Sequence, residues 1–129
     1  KELIESMSCD KNVSFRFLHR NVKDVDLGQK KIMIYRIVQG ALMNVIRHAE
    51  AKAVEIRLNR KKDSVYLTIK DDGKGFNVQE KKKSGGGFGL ALMKERAQLI
   101  GGRFSIKSAS GSGTEIRLAV PIEDIKNEN

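Results

Sequence analysis

Two polar residues continue the apolar faces of predicted strands, and the first of them is Asp71. Residues 65–71 alternate in polarity, with apolar side chains at every second position: Val65, Leu67 and Ile69. Because successive side chains of a strand point to opposite faces, the same period turns Asp71 inward. A buried carboxylate without a partner is costly, so either an internal donor or a ligand donor must meet it.

Two glycines lie shortly after Asp71 in the sequence, and they favour a role for this carboxylate in binding a ligand. Gly73 and Gly75 have no Cβ, so another group can approach the backbone closely beside the carboxylate. The alternative is a turn aspartate that opens the bend at Asp72 and Gly73. We expect Asp71 to accept a hydrogen bond from a ligand.

The hydroxyl of Thr114 ends the inward face of a second predicted strand in the same way. The apolar positions Ile116, Leu118 and Val120 run back to Thr114 with a period of two. If the two strands are neighbours, Asp71 and Thr114 can together receive a planar ring that carries an amino group, with apolar side chains on both sides. The alternative for Thr114 is an ordinary strand threonine that follows Gly113.

A glycine run precedes a predicted helix and indicates an anion site. It contains Gly85, Gly87 and Gly89 and is followed by Leu90. Free backbone N–H groups at a helix N-terminus attract anions, and glycines leave them accessible. A flexible linker is the alternative. The run is neither a Rossmann fingerprint, because a polar loop precedes it, nor a P-loop, because no Gly-Lys-Ser/Thr follows.

Asn44 lies among apolar residues of a long predicted helix. Helical spacing places it on one face with Gly40, Arg47 and His48. Asparagine and glycine are both poor residues for a helix interior, which favours a site over a purely structural role. An amide oxygen can provide one ligand to magnesium, whose other ligands are waters and phosphate oxygens. A core amide with satisfied hydrogen bonds is the alternative.

The elements that must position these residues follow from hydrophobic periodicity. We expect strands near residues 13–18, 54–58, 65–69, 104–106 and 116–120, and helices over residues 29–48 and 90–100. Polar turns join the strands at residues 59–64 and 109–113, a Gly- and Lys-rich loop runs to Gly87, and Gly101 and Gly102 cap the second helix. The expected fold is α/β, with a mixed, mostly antiparallel sheet covered on one face by helices.

Length and composition indicate one domain over residues 1–129. A core over residues 13–121 is expected, with frayed ends at residues 1–12 and 122–129. The sequence contains no apolar stretch long enough to insert into a membrane and no secretory signal. The single cysteine, Cys9, cannot form an internal disulfide, which favours the cytoplasm.

The net charge of +9 raises the question of nucleic-acid binding. The basic residues are spread along the chain, and with no Trp, two Tyr and five Phe few side chains can stack on bases. We therefore expect no nucleic-acid partner and interpret Lys81, Lys82 and Lys83 as solvated loop charges. His19 is expected on the surface just past a strand.

Taken in order, these segments resemble the ATP-binding domain of sensor histidine kinases, in the superfamily of DNA gyrase, Hsp90 and MutL. The resemblance covers residues 34–121. The residues around the matching segments are similar to those of the subgroup of nitrate-sensor, DegS and DesK kinases. The matching segments are the N box at residues 34–49, the glycine boxes at residues 71–76, 85–90 and 111–114, and the helix segment at residues 93–97.

The resemblance implies a two-layer sandwich of the Bergerat type that binds ATP with Mg²⁺. Asp71 would accept from the adenine amino group with Thr114 in support, and Asn44 would bind magnesium. Arg47 and His48 would approach the phosphates, and residues 76–89 would form a mobile lid. The implied partners are a dimerisation domain that carries the phosphoacceptor histidine and the receiver domain of a response regulator.

The sequence departs from the family at Gly40, where the subgroup usually has a glutamate. Position 40 lies one helical turn from Asn44, so water activation by a carboxylate is in question, and we expect the glycine to leave a gap that solvent fills. No segment resembling the phosphoacceptor-histidine helix is expected within these residues. Two other functions remain open: a serine kinase of the anti-sigma-factor type, and a module that binds nucleotide without transferring it.

Overall fold

The computed structural model describes residues 13–22, 25–83 and 88–122, and these form one sheet with helices. In chain order the elements are β1 (Ser14–Arg20), α1 (Lys30–Asn44), a π-helical turn (Val45–Ala49), β2 (Ala53–Lys61), β3 (Ser64–Asp71), α2 (Val78–Lys83), α3 (Phe88–Leu99), β4 (Arg103–Ser108) and β5 (Thr114–Pro121).

The five strands lie in the order β1-β2-β3-β5-β4. β1 pairs in parallel with β2, because α1 returns the chain between them, and the other three pairs are antiparallel. The predicted mixed, mostly antiparallel sheet is therefore confirmed. β3 and β5 are neighbours in the sheet, which is the condition for a joint role of Asp71 and Thr114.

The core lies between one face of the sheet and the helices. β3 contributes Val65, Leu67 and Ile69, and α1 contributes the four buried residues that its helical period predicts: Ile37, Val38, Ala41 and Leu42. From α3 come Leu90, Met93 and Ala97. These side chains fix α1 and α3 against the sheet, and the space left between them is the site described below.

The opposite face of the sheet is open and rich in charge. It carries two ion pairs within strands, Arg57 with Glu55 at 3.1 Å and Arg117 with Glu115 at 3.0 Å. Residues two apart share one face of a strand, so each pair follows from the strand period. Both arginines are exposed, so these pairs contribute little to stability.

Several predicted boundaries were wrong. The hairpin turn is only Lys62 and Asp63, with Lys62 at a φ of +57°, because the polar residues assigned to the turn continue the open faces of β2 and β3. β1 extends to Arg20, so the exposed His19 lies within the strand, with its ring centroid 5.3 Å from that of Phe17. The long helix changes from α to π geometry after Asn44.

The loop predicted after Asp72 contains a short helix, α2, which the sequence analysis missed. Asn77 caps it, since its Oδ1 atom accepts a hydrogen bond from the backbone N–H of Glu80 at 3.0 Å. α3 begins at Phe88, two residues before the predicted start, and its predicted glycine cap is confirmed. Gly101 has a φ of +72°, and the N–H of Gly102 donates to the carbonyl of Ala97 at 2.8 Å.

Gly113 allows the start of β5 to approach the end of β3. A Cβ atom at this position would lie 2.2 Å from the carbonyl oxygen of Asp71, and its φ is +74°. Gly111, in the same turn, also has a positive φ, +83°, but a Cβ there would meet nothing within 4 Å. Both glycines therefore have a backbone conformation that disfavours other residues, but only at Gly113 would a side chain also clash with a neighbouring group.

We expect Gly111→Ala to cost about 1 kcal/mol of unfolding free energy, the ordinary cost of an alanine at positive φ. Gly113→Ala should cost at least about 2 kcal/mol more, because a backbone carbonyl must move. Urea unfolding followed by circular dichroism measures both. Equal losses in the two variants would show that β5 does not depend on this close approach.

Candidate functional site

A cleft opens at one end of the core, between the sheet, the end of α1 and the start of α3. Most of its lining is apolar: Ala41, Val45, Ile69, Phe76, Leu90, Ile106 and Ile116. Four residues with polar side chains also line it, namely Asn44, Asp71, Lys74 and Thr114. An apolar cleft with a few convergent polar groups is typical of a small-molecule site.

A larger depression involves the solvent-facing side of the sheet. Charged side chains are prominent in its lining, including Arg57, Lys70, Arg103 and Arg117. It lacks the enclosed apolar surface that would hold a ring, and size alone does not identify a binding site. We therefore assign the candidate site to the cleft at Asp71.

Three polar side chains lie in one row across neighbouring strands at the edge of this cleft. Asp71 of β3 pairs with Thr114 of β5, and Thr114 pairs with Ser108 of β4. Each of them ends the inward face of its strand, after Ile69, before Ile116 and after Ile106 respectively. The sheet register thus brings together the two predicted residues, Asp71 and Thr114, and adds a third.

Asp71 is buried, with 6% of its surface exposed. Its Oδ1 atom accepts a hydrogen bond from the backbone N–H of Gly73 at 2.8 Å, so the turn that was the alternative interpretation is also present. Burial raises the pKa of the Asp71 carboxyl above its ordinary value. The backbone N–H groups of Gly73 and Thr114 act in the opposite direction, and the charge of Asp72 adds a smaller rise.

Asp72 has a different role from its neighbour. It is exposed, and its Oδ1 atom accepts from the backbone N–H groups of Lys52 at 2.8 Å and Ala53 at 3.0 Å. These two hydrogen bonds lower the pKa of Asp72. Asp72 therefore ties the end of β3 to the start of β2 and leaves Asp71 facing the cleft.

Gly75 brings the segment after Asp71 onto the turn between β4 and β5. A Cβ atom at this position would lie 2.1 Å from the carbonyl oxygen of Ala109, and its φ is +64°. Beside it, the N–H of Gly111 donates to the carbonyl of Lys74. The group that approaches Gly75 closely is thus protein backbone, and a ligand contact at this glycine stays a prediction.

Ser108 is the site residue that the sequence analysis missed. Its Oγ atom accepts from the backbone N–H of Phe76 at 2.9 Å, donates to the carbonyl of Gly113 at 3.0 Å, and lies 2.8 Å from Oγ1 of Thr114. The signal was present: residues 104, 106 and 108 alternate inward as residues 67, 69 and 71 do.

Asn44 lines the cleft at the point where α1 becomes π-helical. A π-helical turn inside a helix is frequent at functional sites. Arg47 is exposed and is not among the residues that line the cleft, whereas Lys74, not singled out before, is. The side chain of His48 lies outside the described part of the structure.

The predicted space beside Gly40 is filled by protein. A Cβ atom at Gly40 would lie 3.3 Å from Cε of Met93, so the side chain of Met93 covers this part of α1. The expectation that Gly40 leaves a gap for solvent was wrong, because α3 packs directly on the glycine.

The second glycine run is only partly visible. Gly85 and Gly87 lie outside the described residues. Gly89 is exposed in the first turn of α3, and Leu90 is buried and lines the cleft. First-turn N–H groups have no intrahelical acceptor, so Gly89 and Leu90 bring backbone donors to the side of the cleft.

The described residues contain no group of three or more His, Cys, Asp or Glu side chains that could hold a metal ion. Asn44 lines the cleft, and its role as a magnesium ligand stays a prediction that would need ligand oxygens and water as the other donors. That donor set suits magnesium better than a transition metal, which prefers imidazole or thiolate ligands.

Comparison with known proteins gives the same class as the geometry. The model of the histidine kinase-, DNA gyrase B- and HSP90-like ATPase family matches residues 29–124. The chain belongs to this family. None of the helices in the described residues is long and apolar enough to span a membrane.

Relatives within the family are sensor kinases. DegS of Bacillus subtilis, a signal transduction histidine-protein kinase/phosphatase, is 40% identical over 95 residues, which cover 73% of this chain and 25% of DegS. Sensor protein VraS of Staphylococcus epidermidis is 40% identical over an alignment that covers 100% of this chain and 36% of VraS. The chain thus spans a minor part of the relatives it matches.

A solved structure has the same fold at low identity. The blue-light activated histidine kinase EL346 of Erythrobacter litoralis superposes with a TM-score of 0.80 at 19% identity, covering 98% of this chain and 41% of that chain. The two-layer α/β architecture expected from the resemblance is confirmed.

The raised pKa of Asp71 predicts how this residue affects folding stability. In the pH range between the ordinary aspartate pKa and the raised folded pKa, the folded state binds more protons than the unfolded state. The contribution of Asp71 to stability therefore falls as pH rises through this range. As pH rises through this range, the unfolding free energy of the unmodified domain should fall relative to that of Asp71→Asn. Urea unfolding at a series of pH values measures this difference. A difference that is constant, or that grows the other way, would contradict the burial effect.

Proposed function

We propose that this domain binds ATP with Mg²⁺ and, in a longer cytoplasmic-facing kinase, donates the γ-phosphoryl group to a histidine of a dimerisation domain. The receiver domain of a response regulator would then take the phosphoryl group from that histidine. The observation that carries the proposal is the buried Asp71 carboxylate at the end of an apolar cleft, beside Thr114. The histidine kinase relatives support the rest.

Adenine fits the base end of the cleft. An ionised carboxylate only accepts hydrogen bonds, so Asp71 suits the exocyclic amino group of adenine. Ile69 and Ile116 provide apolar surface beside the carboxylate, and Ala41 and Leu90 provide it from the helices. Guanine presents a carbonyl at the same position, and two acceptors that face each other without a proton are unfavourable.

The phosphates would lie toward the end of α1 and the start of α3. Asn44 would provide one ligand to magnesium, and phosphate oxygens and water would provide the others. Lys74 lines the cleft, and the first-turn N–H groups of Gly89 and Leu90 can attract the phosphates. Arg47 and His48 remain proposed phosphate contacts, as do Gly85 and Gly87, which belong to the proposed lid at residues 76–89.

Phosphoryl transfer depends mainly on positioning and on neutralising charge. Neither requirement needs a carboxylate at position 40, because the acceptor histidine provides its own nucleophile. Hydrolysis does need an activated water. Gly40 beneath Met93 therefore favours a domain that holds ATP for transfer and hydrolyses it slowly. The second candidate, a module that binds nucleotide without transferring it, would apply if a carboxylate at position 40 were needed to position magnesium.

We expect the domain to bind ATP and ADP, and Asp71→Asn to weaken both by about 2 to 3 kcal/mol, because a charged hydrogen bond is lost and an amide N–H₂ group then faces the adenine amino group. GTP should bind far more weakly than ATP. Isothermal titration calorimetry measures all three affinities. Asp72→Asn is the matched control, since Asp72 faces away from the cleft. Unchanged ATP affinity in Asp71→Asn would remove the assignment of this residue.

Substitutions at Gly40 test the missing carboxylate. Gly40→Glu should raise the slow ATP hydrolysis by about tenfold or more, whereas the isosteric Gly40→Gln should not, because only the former can act as a base. Both should gain up to about 1 kcal/mol of helix stability, reduced by the displacement of Met93. A coupled phosphate-release assay measures turnover. Equal turnover in the two variants, or brisk hydrolysis without any substitution, would show that the carboxylate is not limiting.

A further inference from the structure

Ser108 is the centre of a small hydrogen-bond network at the edge of the cleft. Its hydroxyl contacts three groups from three parts of the chain: the N–H of Phe76, the carbonyl of Gly113 and the hydroxyl of Thr114. Phe76 is the first residue of the segment that leads to α2, and Thr114 lines the cleft. Ser108 thus links the base of the proposed lid to the base-binding end of the site.

The protons of this network can be counted. A serine hydroxyl has one hydrogen to donate, and the N–H of Phe76 already uses one of the acceptor positions of Ser108. If Ser108 donates to the Gly113 carbonyl at 3.0 Å, Thr114 must donate its hydrogen to Ser108. The Thr114 hydroxyl then presents only lone pairs to the cleft. If Ser108 donates to Thr114 at 2.8 Å, the hydrogen of Thr114 is free to point into the cleft.

We propose that a bound adenine nucleotide selects the second arrangement, so that donors run in one direction from Phe76 N–H to Ser108, to Thr114 and on to the ring nitrogen beside the amino group. Ser108 is then a positioning residue that makes Thr114 a donor. The inference rests on the proposed function. The last hydrogen bond of the chain reaches the base directly or through one water.

With donation in this direction, the site offers the base one hydrogen-bond acceptor and one donor. Asp71 accepts and Thr114 donates, which matches the donor amino group and acceptor ring nitrogen of adenine. Guanine reverses both, with a carbonyl acceptor and a ring N–H donor. Hydrogen bonds in a chain polarise one another, so the N–H of Phe76 strengthens the donor that the base receives. Base recognition and the position of the lid base are coupled through one hydroxyl.

The test compares ATP with 1-deaza-ATP, which keeps the amino group but lacks the ring nitrogen acceptor. The unmodified domain should prefer ATP by about threefold to tenfold, the usual effect of one hydrogen bond. Ser108→Ala should lose most of this preference by weakening ATP while leaving 1-deaza-ATP nearly unchanged, because Thr114 then lacks the donor that orients its own hydrogen toward the ring nitrogen. Ser108→Thr, which keeps the hydroxyl, should retain the preference. Ser105→Ala, an exposed serine on the same strand, is the matched control and should behave as the unmodified domain.

Each outcome of the titrations is decisive. An equal loss of both nucleotides in Ser108→Ala would show that Ser108 only supports the fold, and an absent preference in the unmodified domain would show that no donor reaches the ring nitrogen. If Ser108→Ala does not fold, Thr114→Val removes the last donor instead, and a preference that survives in it overturns the proposal. Failure of ATP to bind the unmodified domain would instead refute the proposed function.

Discussion

Burial of the Asp71 carboxylate is the constraint on which the rest of the site depends. It is the only charged side chain that is buried among the described residues. A carboxylate in such surroundings needs hydrogen-bond donors, and the protein provides backbone N–H groups from Gly73 and Thr114. Asp71 lines the cleft beside Thr114, together with the apolar residues Ile69 and Ile116. The amino group of adenine is the further donor that we propose for this carboxylate.

The surroundings of Asp71 are arranged largely by backbone contacts. Asp72 ties the adjoining backbone to the start of β2, and Gly113 allows β5 to approach within the space that a Cβ atom would fill. Gly75 then brings the following segment against the next turn. Gly75 and Gly113 are here positions of close backbone packing. The end of the cleft at Asp71 is therefore held in place by contacts from three neighbouring segments of the backbone.

The period of two in β3 and β5 was sufficient to predict that Asp71 and Thr114 end inward faces, because strand geometry alone determines it. The same period in β4 points to Ser108, but its importance depends on the register with β5, which no local pattern encodes. Met93 covering Gly40 was beyond prediction for a similar reason: packing between α1 and α3 is a tertiary contact. Short elements such as α2, and the change to π geometry, have signals too weak to distinguish from a loop or a regular helix.

We propose that the base of ATP lies in the cleft between the helices and the sheet, with its amino edge at Asp71. Intermolecular nuclear Overhauser effects between adenine H2 of bound ATP and the methyl groups of the domain test this directly. We expect contacts to the methyl groups of Ile69 and Ile116, which line the cleft. Contacts instead to Thr68 and Ala119, which line the larger depression, would contradict it.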